Sequence, residues 1–141
     1  MGTGYFTQPS LCADRIVFVC EDDLWEVDSS GGQARRLTNS RSEIKTPYLD
    51  PSGKWIACCA KEEGDPDVYL MSADGGPLKR LTWLNSVTRI VGWTPDGSSI
   101  LFHSIHQAVH HRGSDAWLFK VGVDGGPCLL YTSDAADDVR G

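Results

Sequence analysis

The sequence predicts an all-β fold made of three copies of one four-stranded antiparallel sheet. Three observations carry that reading. The stretch "DLWEVDSSGGQARRLT" (Asp23 to Thr38) returns as "DVYLMSADGGPLKRLT" (Asp67 to Thr82) after a step of 44 residues. A further copy, "DAWLFKVGVDGGPCLLYT", starts at Asp115, and a second motif keeps the step, with Pro51-Ser52-Gly53 against Pro95-Asp96-Gly97. No segment shows the 3.6-residue apolar spacing of an amphipathic helix.

The elements of one unit follow from local chemistry, and the middle copy shows them in order. "KTPYL" (Lys45 to Leu49) is a short strand. "DPSG" (Asp50 to Gly53) is a turn, because Pro presets φ near −65° and Gly accepts positive φ. "KWIACCA" (Lys54 to Ala60) is nearly all apolar and reads as a buried strand. "DVYLMS" (Asp67 to Ser72) alternates, placing Val68 and Leu70 on one face and Tyr69 and Met71 on the other. "ADGG" supplies the positive φ that tight hairpins need. "PLKRLT" is then an outer edge strand, suited by Pro77 and the charged Lys79-Arg80. The first copy repeats the plan with "GYFTQ", "DRIVFVC", "DLWEVD" and "QARRLT". The third repeats it with "TRIVGW", "SSILFHS" and "DAWLFKV".

Four antiparallel strands every 44 residues are the mark of a β-propeller blade. The expected units are blade 1 at 5–38, blade 2 at 45–82, and an incomplete blade 3 at 89–127, followed by a tail at 128–141. A single twisted sheet cannot bury both faces alone and must stack on neighbours. Propellers close with about four to eight blades, so the chain is expected to be a β-propeller fragment of a longer protein. One blade face would then be left open, carrying Trp93, Phe102, Trp117 and Phe119.

Composition narrows the function classes. The 141 residues carry a net charge of −6, which disfavours the phosphate neutralisation that nucleic-acid binding needs. The basic pairs Arg35-Arg36 and Lys79-Arg80 recur at one repeat position and read as solvated strand residues. The N-terminal stretch has neither a basic region nor an apolar core of signal-peptide length, and no apolar run would span a bilayer. The five cysteines, Cys12, Cys20, Cys58, Cys59 and Cys128, are odd in number and lack C-x-x-C spacing. Free thiols in a reducing compartment, the cytosol, are the expectation.

Candidate chemistry is sparse. His103, His106, His110 and His111 have spacings that could hold zinc on a helix, but they follow a strand and read as a solvated loop. No G-x-S-x-G elbow is present. Glu21, Asp22 and Asp23, and Glu62, Glu63, Asp65 and Asp67, fall at equivalent strand-to-strand loops. They read as polar loops, with lining of a peptide channel as the functional alternative. Trp25, Tyr69 and Trp117 share one repeat position and read as packing residues between blades. No catalytic, cofactor-binding or metal-binding residue is assigned.

"DRIVFVCEDDLWEVDSSGGQARRLT", "PYLDPSGKWIACCAKEEGDPDVYLMSADGGPLKRLT" and "RIVGWTPDGSSILFHS" resemble, in order, the opening blades of the tricorn protease family. The resemblance covers Tyr5 to Pro127. It implies a large cytosolic serine peptidase with an N-terminal six-bladed propeller, followed by a seven-bladed propeller, a PDZ-like domain and the catalytic core. The propellers frame channels for short peptides, and the catalytic Ser and His lie in the absent core. The implied partners are peptides, the remaining blades and core of the same chain, and further copies of the parent in a homo-oligomer, with no nucleic acid or membrane. The blade pattern is shared with TolB-type binding propellers and with the propellers of prolyl oligopeptidases, which stay open as alternatives.

After Gly125-Gly126-Pro127 the repeat calls for a segment like "LKRLT", and the chain gives "CLLYTSDAADDVRG". Back-translated as TGT CTC TTA TAC ACA TCT, its start resembles a transposon-end sequencing adapter. Residues 128–141 are therefore expected to be an artefactual tail.

Overall fold

The computed structural model describes residues 6–38, 42–61, 66–84, 86–104 and 117–130. Among them there are twelve strands and no helix. The first sheet holds β1 (Phe6–Cys12), β2 (Arg15–Cys20), β3 (Asp23–Asp28) and β4 (Arg35–Arg36). The second holds β5 (Glu43–Leu49), β6 (Trp55–Lys61), β7 (Asp67–Ser72) and β8 (Lys79–Arg80). The third holds β9 (Thr88–Trp93), β10 (Ser99–Ser104), β11 (Trp117–Gly122) and β12 (Gly125–Leu130). Each sheet is an antiparallel meander in chain order. The sheets converge at their first strands, where β1 lies against β5 and β5 against β9. That convergence is the radial arrangement of propeller blades.

Strand limits differ from the sequence reading where a proline or glycine intervenes. The first strand was expected over Gly4 to Gln8, but β1 runs from Phe6 to Cys12. Pro9 does not end it, because it sits in a bulge: Thr7 pairs with Val19, Ser10 pairs with Val17, and two residues oppose one. The outer strands are shorter than "QARRLT" and "PLKRLT" suggest, only two residues each. The preceding Gly75 and Gly76 sit at φ 101° and 121°, and pairing begins at Lys79. The boundary placed after Pro127 falls inside β12, in which Leu129 pairs with Lys120.

Two apolar cores fill the two seams. The first lies between blades 1 and 2 and includes Val17, Leu24, Ile44, Ile56, Cys58, Tyr69 and Met71. The second lies between blades 2 and 3 and includes Ala57, Cys59, Val68, Leu70, Ile100, Phe102 and Phe119. Alternation along β6 and β7 therefore sends successive side chains to different cores, and the adjacent Cys58 and Cys59 end on opposite faces. Each fully buried large apolar side chain contributes about 1.5–3 kcal/mol.

This packing corrects the expected open face. Phe102 is 0% exposed and Phe119 6%, and Trp93 and Trp117 pack against the same core, so all four look inward toward blade 2. Phe102 and Phe119 stack with centroids 5.7 Å apart. Alternation instead turns Leu101 and Leu118 of blade 3 outward, together with Ile16, Phe18, Trp25 and Val27 of blade 1, all half-buried. These are the faces that further blades would cover.

Candidate functional site

The converging first strands form an irregular surface. Each carries a bulge: Gln8-Pro9 in β1, Thr46-Pro47 in β5 and Val91 in β9 interrupt regular pairing. Gln8 has φ 54° and Thr46 φ 48°, a left-handed conformation that is strained for a β-branched residue. The strain is held by ties from blade to blade. Thr46 N donates to Gln8 Oε1 at 2.7 Å, and Ile90 N donates to Thr46 Oγ1 at 3.3 Å. Leu49 N donates to Ser10 Oγ at 3.0 Å, and Trp93 Nε1 donates to Tyr48 O at 2.9 Å. Inner strands have a free backbone edge whose polar groups need partners, and neighbouring side chains supply them. A recess of about 250 Å³ opens here, bounded by Gln8, Thr46, Tyr48, Arg89 and Ile90. Lys45 and Arg89 are exposed on these strands, and Lys45 Nζ lies 3.2 Å from Glu43 Oε2. The surface offers cations, amide groups and one aromatic ring, which suits contact with peptide backbone and carboxylate.

The acidic residues predicted at strand-to-strand loops divide. Glu21 and Asp22 are exposed in the β2–β3 turn with φ 51° and 69°. Asp23 and Asp67 do not belong to that polar surface. Asp67 is 1% exposed, and its Oδ1 accepts from Thr82 Oγ1 at 2.8 Å and from Leu84 N at 2.8 Å. Arg80 Nη2 donates to Asp67 Oδ2 at 2.6 Å, and Arg80 Nε donates to Thr82 O at 2.8 Å. Val68 N completes the set by donating to Thr82 Oγ1 at 3.0 Å. Blade 1 repeats it with Asp23, Thr38 and Arg36: 2.6 Å from Thr38 Oγ1 to Asp23 Oδ1, and 2.6 Å from Arg36 Nη2 to Asp23 Oδ2. Arg36 and Arg80 are thus strand clamps and not merely solvated cations. This set was missed in the sequence because Asp and Thr lie fifteen residues apart, though the repeated D…R-x-T spacing was its signal.

His103 lies on β10, half-buried, paired in register with Leu118 and Arg89. His106, His110 and His111, like Glu62, Glu63 and Asp65, lie outside the described residues. Among the described residues no three His, Cys, Asp or Glu side chains gather as metal ligands. Tyr69 is buried in the first core and Trp117 packs on the second, each facing the preceding blade, while Trp25 faces the side where no described blade lies. The five cysteines are free thiols, with Cys20, Cys58 and Cys59 buried. Among the described residues no helix is long and apolar enough to cross a membrane.

Three four-stranded sheets converging on bulged inner strands, the first two clamped at their outer edges, define a segment of a β-propeller. The model of the tricorn protease N-terminal β-propeller domain matches residues 3–139, and the chain belongs to that family. It is 31% identical over 136 residues to tricorn protease homolog 1 of Streptomyces coelicolor, a match covering 96% of this chain and 12% of that protein. It is 37% identical over 132 residues to putative tricorn protease homolog 2 of the same organism, covering 87% of this chain and 11% of that one. The tricorn protease of Thermoplasma acidophilum is 30% identical over 127 residues, covering 83% and 12%. Among solved structures, the tricorn protease crystal structure superposes with a TM-score of 0.76 at 26% identity, over 90% of this chain and 13% of that one. TolB from Acinetobacter baumannii shares the fold with a TM-score of 0.72 at 22% identity, over 90% and 32%. The chain thus spans about an eighth of the length of its tricorn relatives.

Proposed function

We propose that the chain is the first part of the N-terminal six-bladed propeller of a cytosolic, tricorn-like serine peptidase that degrades short peptides. Its role is non-catalytic: it scaffolds the assembly, and its inner strands gate peptide passage. The observation that carries this reading is the inner edge itself. Bulged strands held by Gln8, Ser10 and Thr46 bound a recess of about 250 Å³ lined by Tyr48 and Arg89. The partners in this reading are peptides, the remaining blades and catalytic core of the same chain, and further copies of the parent.

The test uses the full-length protein carrying Arg89→Glu and Lys45→Glu. KM for short peptides is expected to rise on the order of tenfold, since like charge placed at a gate slows capture. Turnover of a single-residue chromogenic ester is expected to stay unchanged. Unchanged peptide kinetics would remove the gating role. The shared fold with TolB keeps a binding propeller as the second reading, and it would be favoured by a reading frame that ends with the propeller.

A further inference from the structure

The two seams between blades are built alike but closed differently. In the seam between blades 1 and 2, Arg15 at the start of β2 reaches across. Its Nη1 donates to Ala73 O at 3.0 Å, its Nε lies 3.2 Å from Glu26 Oε2, and its Nη2 lies 3.5 Å from Asp74 Oδ1. A guanidinium therefore fills the space between the sheets. Trp55 occupies the same place in the next seam: Arg15 pairs with Asp28 and Trp55 with Ser72, the matching partner in the repeat. The position that holds a guanidinium in β2 thus holds an indole in β6, and the cation lining this seam is Lys79 of β8.

A cleft of about 730 Å³ opens there instead, over a Trp55 that is 46% exposed. Leu70 and Lys79 of blade 2 and Asp96 and Asp124 of blade 3 line it. Asp124 opens the D-G-G turn that Asp74 opens one blade earlier, so the carboxylate that receives the guanidinium of Arg15 has a counterpart here. Asp96 is held by Thr94 Oγ1, Ser98 N and Ser98 Oγ at 2.7, 3.0 and 2.8 Å, and all three bonds fall on Oδ1. The lining residues include Asp50, Asp96, Asp124, Lys79 and Trp55. Both oxygens of Asp50 are taken by the Ser52 hydroxyl and the Lys54 and Trp55 amides, which leaves Asp96 and Asp124 as the carboxylates open to a ligand.

We propose that this cleft binds the arginine side chain of a peptide, its guanidinium stacked on the Trp55 indole and directed at Asp124 and Asp96. The ligand supplies the cation that Arg15 supplies within the chain at the other seam. Stacking on an indole and bidentate pairing with a carboxylate both favour arginine over lysine. The inference depends on the cleft alone and stands apart from gating at the inner strands.

The test is calorimetric titration of the full-length protein with acetyl-Gly-Arg-Gly-amide and with its citrulline isostere, which keeps the shape and removes the charge. The arginine peptide is expected to bind at least about tenfold more tightly than the citrulline one. Asp124→Asn, an exposed turn substitution, is expected to weaken binding about fivefold with no change in melting temperature. Trp55→Arg is expected to abolish binding, because the chain then fills its own cleft. Equal affinity for the two peptides, or full affinity retained in Trp55→Arg, would overturn the proposal, as would no measurable heat with the arginine peptide. Peptide cleavage is not the readout, so failure here leaves the gating role standing.

Discussion

Arg80 holds Asp67 across thirteen residues of chain, Nη2 to Oδ2 at 2.6 Å, and Arg36 holds Asp23 with the same atoms at the same distance. The pair closes a hairpin whose outer strand is only two residues long. Backbone pairing alone would leave that edge frayed, and the side chains take over the ladder's work. Removing one partner of a buried, hydrogen-bonded charge pair costs about 3–5 kcal/mol. Asp67→Ala is therefore expected to destabilise the protein by about that much in urea denaturation. Asp23→Ala should cost less, because Arg36 is 47% exposed where Arg80 is 31%. A loss below about 1 kcal/mol for Asp67→Ala would show the clamp to be incidental.

Thr46 carries left-handed strain while its hydroxyl accepts the Ile90 amide. Asparagine tolerates that conformation and keeps an acceptor. Thr46→Asn is expected to be neutral or to stabilise by up to about 1 kcal/mol. Thr46→Val, which keeps the branch and loses the acceptor, should destabilise. The two midpoints of thermal unfolding, compared directly, decide the matter.

The stacked Phe102 and Phe119 anchor the seam between blades 2 and 3. Phe102→Ala should cost about 3–5 kcal/mol through lost transfer energy and the cavity left behind. The loss is expected to appear first as hydrogen exchange in β9 to β11, with β1 to β3 still protected, since each blade contacts only its neighbours.

Acid should loosen the turn that opens blade 3. Hydrogen bonds from Ser98 N, Thr94 and the Ser98 hydroxyl hold Asp96 down to a pKa of about 2. For Asp50, burial pushes upward, but bonds from Ser52 and from the Trp55 and Lys54 amides outweigh it and leave the pKa lowered. A carboxylate depressed by folding stabilises the fold above its unfolded pKa of about 3.9, and that stability is lost as pH falls through the folded value. Stability is thus expected to decline between about pH 4 and pH 2, and Asp96→Ala should flatten that decline. An unchanged slope in the variant would exclude Asp96 as a source.

The thiols should react in order of burial. Burial pushes the Cys58 thiol up, reinforced by Cys59, and burial likewise raises Cys59. Neither is expected to react with a thiol reagent before denaturation, while the half-buried Cys12 labels in the native state. Mass spectrometry of the labelled peptides reads this directly.

The fold was legible where chemistry is local. Alternation in "DVYLMS" located β7 and assigned its two faces, and the 44-residue step aligned β3 with β7. What failed was what depends on the neighbouring sheet. The first strand was read as ending at Gln8, because local sequence does not show that Gln8 Oε1 and Ser10 Oγ, on either side of Pro9, accept from β5 of blade 2. Phe102 and Phe119 were placed on the open side because alternation gives two faces without saying which neighbour each meets. The clamp spans two strands and a turn, beyond any local pattern. Leu130 stands two residues before Thr132, where Arg36 and Arg80 stand before Thr38 and Thr82, so the third copy lacks the arginine of the clamp. Resequencing the source DNA is expected to show the transposon-end codons from Cys128 onward, and different codons there would sink the adapter reading.

The middle sheet feeds two cores that share no residue, with Cys58 on one side and Cys59 on the other. Deleting or inserting one residue in Trp55–Lys61 would exchange the contents of both seams at once, where the same slip in an outermost blade would spoil only one. Length changes in that strand should therefore be tolerated only in steps of two, which makes blade 2 the least editable part of the chain and the turns at its ends the natural places for variation.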